Sequence, residues 1–219
     1  VIININMSSI LTKIKNFIKY KVKNPYKPAF EYLENFKLDS NSKVIDIGAH
    51  KGKISEFLLK KGCTVYAYEP NPYVYKELKS LKKKYIKFFP QNIGVFYKND
   101  FFKMYFKKYQ NGQPKIDSEG NSLIKEKKNV SSENYINVKC FNFKSIISKT
   151  GKVDLVKVDI EGAEYEIYHD LLDNSDSFNF CIMETHEMKL STEFLQKHEE
   201  MIKTIKSHKN SKKFKFDYV

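Results

Sequence analysis

The stretch KVIDIGAHKGKISEFLLKKG, residues 43–62, constrains the fold more than any other. An apolar run from Val44 to Ile47 passes through a turn with Gly48 and Gly52 into a segment that puts Ile54, Phe57 and Leu58 on one helical face, and Gly62 closes it. CTVYAYEP then reads as a second strand, stopping at Glu69. Asn71 supplies an N-cap and Pro72 a first helical position for a helix with Val74, Leu78 and Leu81 inward. YIKFFP is a third strand. Strand, helix, strand, helix, strand predicts an α/β fold, with a mostly parallel, doubly wound sheet and helices on both faces.

Residues 101–142 break that rhythm with FKMYFK, the polar stretch NGQPKIDSEGN and YINVKCFNF, which together read as a strand-rich insertion around a flexible loop. The alternation resumes with the helix SIISKTG, the strand VDLVKVD, the helix AEYEIYHDLL, the strand FCIMETH, the helix TEFLQKHEEMIKTIKSH and a short last strand in KFKFDYV. Residues 43–219 read as one domain, within the size that a single core supports, and residues 1–42 as a helical extension. Val1 to Asn6 precede Met7 and carry no weight in the reading. From Ile10 to Val22 apolar residues recur at helical spacing among Lys13, Lys15, Lys19 and Lys21. The preferred reading of this basic amphipathic helix packs it on the domain with its lysines in water; peripheral contact with an anionic membrane is the alternative.

Hydrophobic residues at 41% exclude wholesale disorder. No apolar run reaches the roughly 18 residues that cross a bilayer, and no secretory signal stands out. Cys63, Cys140 and Cys181 lack the spacing of a zinc site or disulfide framework, which points to a reducing, cytoplasmic setting. The net charge of +13 would suit an anionic partner, but every basic residue is lysine. Nucleic acid is therefore disfavoured, because bidentate recognition of phosphate and guanine favours arginine.

Ligands of doubly wound sheets bind beyond the carboxyl ends of the strands. There the loop DIGAHKG places Asp46 and the two glycines, and Glu69 falls where an acid accepts from ribose hydroxyls, roughly 20 residues after such a loop. The third glycine of a dinucleotide fingerprint is missing, which disfavours an NAD-binding oxidoreductase. Asp46 would repel a pyrophosphate but suits an ammonium-bearing ligand such as S-adenosylmethionine. Asp159 and Glu161 follow the strand VDLVKVD, and Glu184 and His186 follow FCIM. Asp159 is placed to orient or deprotonate an acceptor, and His186 is the leading proton acceptor. Glu161 also suits a helix start by charge alone. Lys157, inside an apolar strand, needs an acid such as Asp46 or Glu164. Asp159, Glu184 and His186 could alternatively hold Mg²⁺ against a sugar diol, but without ligand geometry no metal is assigned.

DIGAHKG, EPNP and KVDIEGAE, in that order and spacing, resemble the FkbM family of S-adenosylmethionine-dependent methyltransferases over roughly residues 43 to 186. The resemblance implies a Rossmann-like class I methyltransferase fold and O-methylation of a hydroxyl, often of a sugar in a glycan or glycosylated metabolite. It carries cofactor contact onto Asp46, Gly48, Ala49, His50, Gly52, Glu69, Pro70, Asn71 and Asp159, with Asn92 near the adenine. His50 stands where the family commonly has Asn, and the sheet's usual final hairpin looks shortened. A rival reading as a nucleic-acid methyltransferase rests on NPY at Asn71 to Tyr73, which follows the second strand instead of the fourth. A non-catalytic, methyltransferase-like binding module is the other alternative.

Overall fold

The computed structural model describes residues 26–109, 111–186 and 192–216. The chain divides into two compact units, one up to Lys37 and one from Leu38. The described part of the first unit contains helix α1, Lys27–Glu34, opened by Pro28. The basic helix expected between Ile10 and Val22 lies outside the described residues.

The second unit begins with β1, Lys43–Ile47, then α2, Lys53–Lys60, β2, Thr64–Tyr68, α3, Pro72–Ser80, and β3, Phe88–Gln91. Next come β4, Gly94–Val95, β5, Asp100–Lys108, β6, Pro114–Lys115, β7, Val130–Phe141, and α4, Phe143–Thr150. The last part contains β8, Val153–Val158, α5, Glu164–Asp173, β9, Phe178–Met183, α6, Thr192–Ser207, and β10, Phe214–Phe216. Six of these strands form one sheet in the order β3-β2-β1-β8-β9-β10, with every neighbouring pair parallel. That is the doubly wound Rossmann order. At one edge of the sheet β10 runs parallel to β9.

Parallel strands covered on both faces need near-continuous apolar runs. Accordingly, Val44, Ile45 and Ile47 in β1 and Leu155, Val156 and Val158 in β8 are fully buried. The exceptions, Asp46 and Lys157, are register partners. Ile54, Leu58 and Leu59 bury the inner face of α2, each contributing about 1.5–3 kcal/mol. A Cβ on Gly52, which has φ +83°, would come within 2.7 Å of the Leu78 and Leu81 side chains, so a larger residue there would have to displace them. The expected cap of α3 is present: Asn71 accepts a hydrogen bond from the Tyr73 N–H at 3.0 Å. Ala163, Ile167 and Leu171 are buried, as the helical spacing predicts.

The insertion forms a second sheet, β4-β7-β5-β6, with β5 and β7 antiparallel and an irregularity between Tyr105 and Lys107. Its Met104, Phe106, Val138 and Cys140 share one hydrophobic core with Ile47, Tyr68 and Val158 of the main sheet. The insertion is thus anchored beside the ends of β1, β2 and β8.

Candidate active site

Strand order reverses between β1 and β8, so the chain after β1 and the chain after β8 leave in opposite directions and open a crevice. The two loops are locked together beneath it. Gly48 has φ +76°, and a Cβ there would lie 1.8 Å from the Asp159 carbonyl oxygen. The Asp159 N–H donates to the Ile47 carbonyl at 3.1 Å, extending the ladder past both strands. Lys157 is buried at the join. Its Nζ donates to the Gly48 carbonyl at 2.9 Å and lies 3.3 Å from Asp46 Oδ1 and 3.5 Å from Asp159 Oδ2. Burial pulls the Lys157 pKa down, but the Asp46 and Asp159 carboxylates more than offset it, so the ammonium stays charged.

The β1–β2 side is fully braced. Asp46 is fully buried; Ser55 Oγ donates to its Oδ2 at 2.6 Å, and Lys157 supplies the countercharge. Glu69 accepts the His50 N–H on one oxygen and the Asn71 N–H on the other, both at 2.8 Å. Burial raises its pKa against the pull of those donors. The Asn92 amide donates to the Glu69 and Pro70 carbonyls at 2.8 and 3.0 Å, which braces the turn after β2. Asn71 Nδ2 donates to the Ile116 carbonyl at 2.6 Å while its Oδ1 caps α3. With both arms engaged in the turn, Asn71 does not present the amine-positioning group that a nucleic-acid methyltransferase would need.

The insertion reaches both sides of the crevice. The His50 ring meets the Asp117 carbonyl at 3.1 Å through Nε2 and Glu119 at 3.4 Å through Nδ1, and Lys51 pairs with Asp117 and Glu77. Further along, Ser122 Oγ donates to the Glu161 carbonyl at 2.7 Å, and the buried Lys127 pairs with the Glu161 carboxylate and donates to the Gly120 carbonyl at 2.8 Å. Ser122 and Lys127 carried no sequence signal, since one is a loop serine and the other sits in a run of lysines.

The motif EGAE, residues 161–164, follows β8. Glu161 has φ +56°, a conformation that costs a residue with a side chain of order 1 kcal/mol or more, and Ser122 and Lys127 hold it there. Gly162 follows at φ +106°, and Ala163 is fully buried. Glu164, also fully buried, accepts the Gly162 N–H on Oε2 at 2.9 Å and faces His186 Nδ1 with Oε1 at 3.0 Å. Glu164 therefore pairs with His186, and of the two partners expected for Lys157 only Asp46 is used. Glu166 pairs with Lys197 at the surface.

His186 lies among four carboxylates. Its Nε2 is 3.7 Å from Asp159 Oδ1, 3.6 Å from Glu161 Oε1 and 3.7 Å from Glu184 Oε1, and it makes no hydrogen bond. Burial lowers its pKa, but Glu164, Glu161 and Asp159 outweigh burial and lift it to about 9. Glu164 engages Nδ1, which leaves Nε2, the nitrogen expected to accept a proton, facing Asp159, Glu161 and Glu184. Asp159, with its side chain 29% exposed, faces the crevice. Nearby, Phe102, Tyr105, Leu123, Phe194, Glu166 and Lys197 help line a cavity of about 440 Å³. Phe194 packs edge-on against Tyr165, whose hydroxyl meets the His186 N–H at 3.3 Å.

The family model described as Methyltransferase FkbM domain matches residues 46–215, which takes in both loops, the insertion and the histidine. The chain belongs to the FkbM methyltransferase family. Among solved structures it is similar to methyltransferase FkbM from Methylobacillus flagellatus KT, with 15% identity over 77% of this chain and 38% of that one and a TM-score of 0.48. It is also similar to precorrin-6y C5,15-methyltransferase from Geobacter metallireducens GS-15, with 12% identity over 79% of this chain and 67% of that one and a TM-score of 0.43. The chain spans 38% of the length of the first of these. No curated protein matches it. The three FkbM-like motifs are the DIGAHKG loop, the EPNP turn and the KVDIEGAE strand end, which meet around one crevice.

Proposed function

We infer that this protein is an S-adenosylmethionine-dependent O-methyltransferase whose acceptor is a hydroxyl of a sugar in a glycan or glycosylated metabolite. The observation that carries the reading is the concentration of carboxylates at one sheet edge of a chain with net charge +13. Such an edge suits a cationic ligand, and S-adenosylmethionine, which supplies a methyl group on a positively charged sulfur, is one. The residues present fit it. Glu69, pinned by two backbone N–H groups, keeps acceptor capacity for a ribose diol. Asp159 sits beside the glycine loop, where it can orient an acceptor hydroxyl and take its proton. The segment from Ile116 to Lys127 is tied to Asn71 on one side of the crevice and to Glu161 on the other. The aromatic lining of the neighbouring cavity suits the face of a sugar ring.

Calorimetric titration with S-adenosylmethionine, S-adenosylhomocysteine and NAD tests this reading, with Glu69→Ala as control. Saturable binding of both sulfur compounds, lost in the variant, supports the donor site and justifies a screen of sugar acceptors by methyl transfer. Binding of neither overturns the enzyme reading in favour of a binding module.

A further inference from the structure

The cluster around His186 Nε2 has features that the methyl donor does not explain. Each nearby acid divides its oxygens in the same way. Asp159 directs Oδ2 to Lys157 and Oδ1 to His186 Nε2. Glu161 directs Oε2 to Lys127 and Oε1 to the same nitrogen. Glu164 holds the Gly162 N–H with Oε2 and the opposite ring nitrogen, Nδ1, with Oε1. Glu184 Oε1 completes the ring around Nε2. Lysines thus hold the outer oxygens of Asp159 and Glu161, and their inner oxygens and Glu184 Oε1 converge beside a histidine nitrogen that is itself buried, with 1% side-chain exposure, and lacks a hydrogen bond.

We propose that Asp159, Glu184 and His186 bind one divalent cation of the Mn²⁺ type, with Glu161 beside it and Glu164 as the outer carboxylate that orients His186. The donor atoms of Asp159, Glu184 and His186 lie within 4.8 Å of one another. A small octahedral cation with bonds of about 2.1 Å places adjacent ligand atoms about 3.0 Å apart and opposed ones about 4.2 Å apart. Side-chain shifts of about 0.5 to 0.7 Å close the difference. Glu164 in contact with Nδ1 is the carboxylate–histidine arrangement that fixes the tautomer of a metal-bound imidazole and points its lone pair inward. Charge favours a cation as well: among the described residues Asp46, Asp159, Glu161, Glu164 and Glu184 gather here against Lys157 and Lys127. One imidazole among carboxylates suits a first-row divalent ion better than Ca²⁺, which takes oxygen ligands, and no cysteine approaches the cluster to favour Zn²⁺. The role of the ion rests on the methyltransferase reading. Its open positions hold the acceptor hydroxyl, with a neighbouring hydroxyl of a diol as second ligand, next to Asp159.

The binding claim is tested without donor or acceptor. The full chain is stripped with EDTA, exchanged into metal-free buffer and titrated with MnCl₂ by electron paramagnetic resonance, with the His186 ring followed by NMR. The expected result is one saturable site per chain and selective broadening of His186. His186→Ala and Glu184→Gln should abolish the site, Glu164→Gln should weaken it roughly 10- to 100-fold, and Glu56→Gln, on α2, should leave it unchanged. Circular dichroism identifies any variant that fails to fold, and Glu184→Gln, at a partly exposed strand end, preserves shape. Absence of saturable Mn²⁺ binding, or equal affinity in folded wild type, Glu184→Gln and Glu164→Gln, overturns the proposal. Mn²⁺ binding without S-adenosylmethionine binding overturns the methyltransferase reading alone; the converse overturns the metal site alone.

Discussion

The two halves of the crevice are finished to different degrees. On the β1–β2 side, Glu69 accepts a backbone N–H on each oxygen, and Asp46 accepts from Ser55 on Oδ2 with Lys157 3.3 Å from its Oδ1. On the β8–β9 side, Asp159, Glu161 and Glu184 converge on a buried nitrogen with no hydrogen bond. Lys157 and Lys127 each meet one of these carboxylates and offset part of the charge on that side. The first half is pinned by hydrogen bonds, and the second gathers carboxylates around one imidazole. They share Lys157 and the Gly48–Asp159 contact.

The sharpest way to break that division is at the shared contact. Gly48→Ala puts a Cβ into the Asp159 carbonyl at a left-handed φ, and a loss above about 4 kcal/mol in urea unfolding is expected, within the range reserved for a few mechanisms. Lys157→Met leaves Asp46 and Asp159 buried or half-buried without their countercharge, for an expected loss of about 3–5 kcal/mol. Either variant should impair both ligands together. An effect of Gly48→Ala on one ligand only, in folded protein, would mean that the loops are not coupled. Glu69→Ala should separate the halves, weakening S-adenosylmethionine roughly 10- to 100-fold by loss of charge-assisted hydrogen bonds while leaving Mn²⁺ affinity unchanged in parallel titrations.

Asn71→Ala removes the cap of α3 and the tie to Ile116, costing about 1 kcal/mol of stability and raising proteolytic cleavage between Ile116 and Lys127. Smallest of all, Glu56→Gln should cost under about 1 kcal/mol. Its pH dependence has a definite sign. Lys84 holds the Glu56 carboxyl below its ordinary pKa, so the contribution is complete above the unfolded value and is lost as pH falls through the folded one. Melting temperatures of wild type and Glu56→Gln should therefore differ slightly at neutral pH and converge in acid.

What could be read from the sequence was local. The helical faces, the Asn71–Pro72 helix start and the strand ends at Asp46, Glu69 and Asp159 follow from periodicity and capping, which act within a few residues. The Asp46–Lys157 pair was readable because a lysine in a buried strand demands an acid. The grip of Ser122 and Lys127 on Glu161 was not, because it depends on how the insertion folds back across a long sequence separation. Nor was the raised pKa of His186, which follows β9 and is set by Glu164, Glu161 and Asp159 from the segment after β8. EGAE was visible only as a motif, and its strained Glu161 and two-handed Glu164 became intelligible with the geometry.

The most direct test of the divided crevice is titration of S-adenosylmethionine into wild type, Glu69→Ala and Glu184→Gln by calorimetry. The expected result is saturable binding to wild type and Glu184→Gln, with Glu69→Ala weakened at least roughly tenfold. Equal binding to all three, or none to wild type, would contradict it.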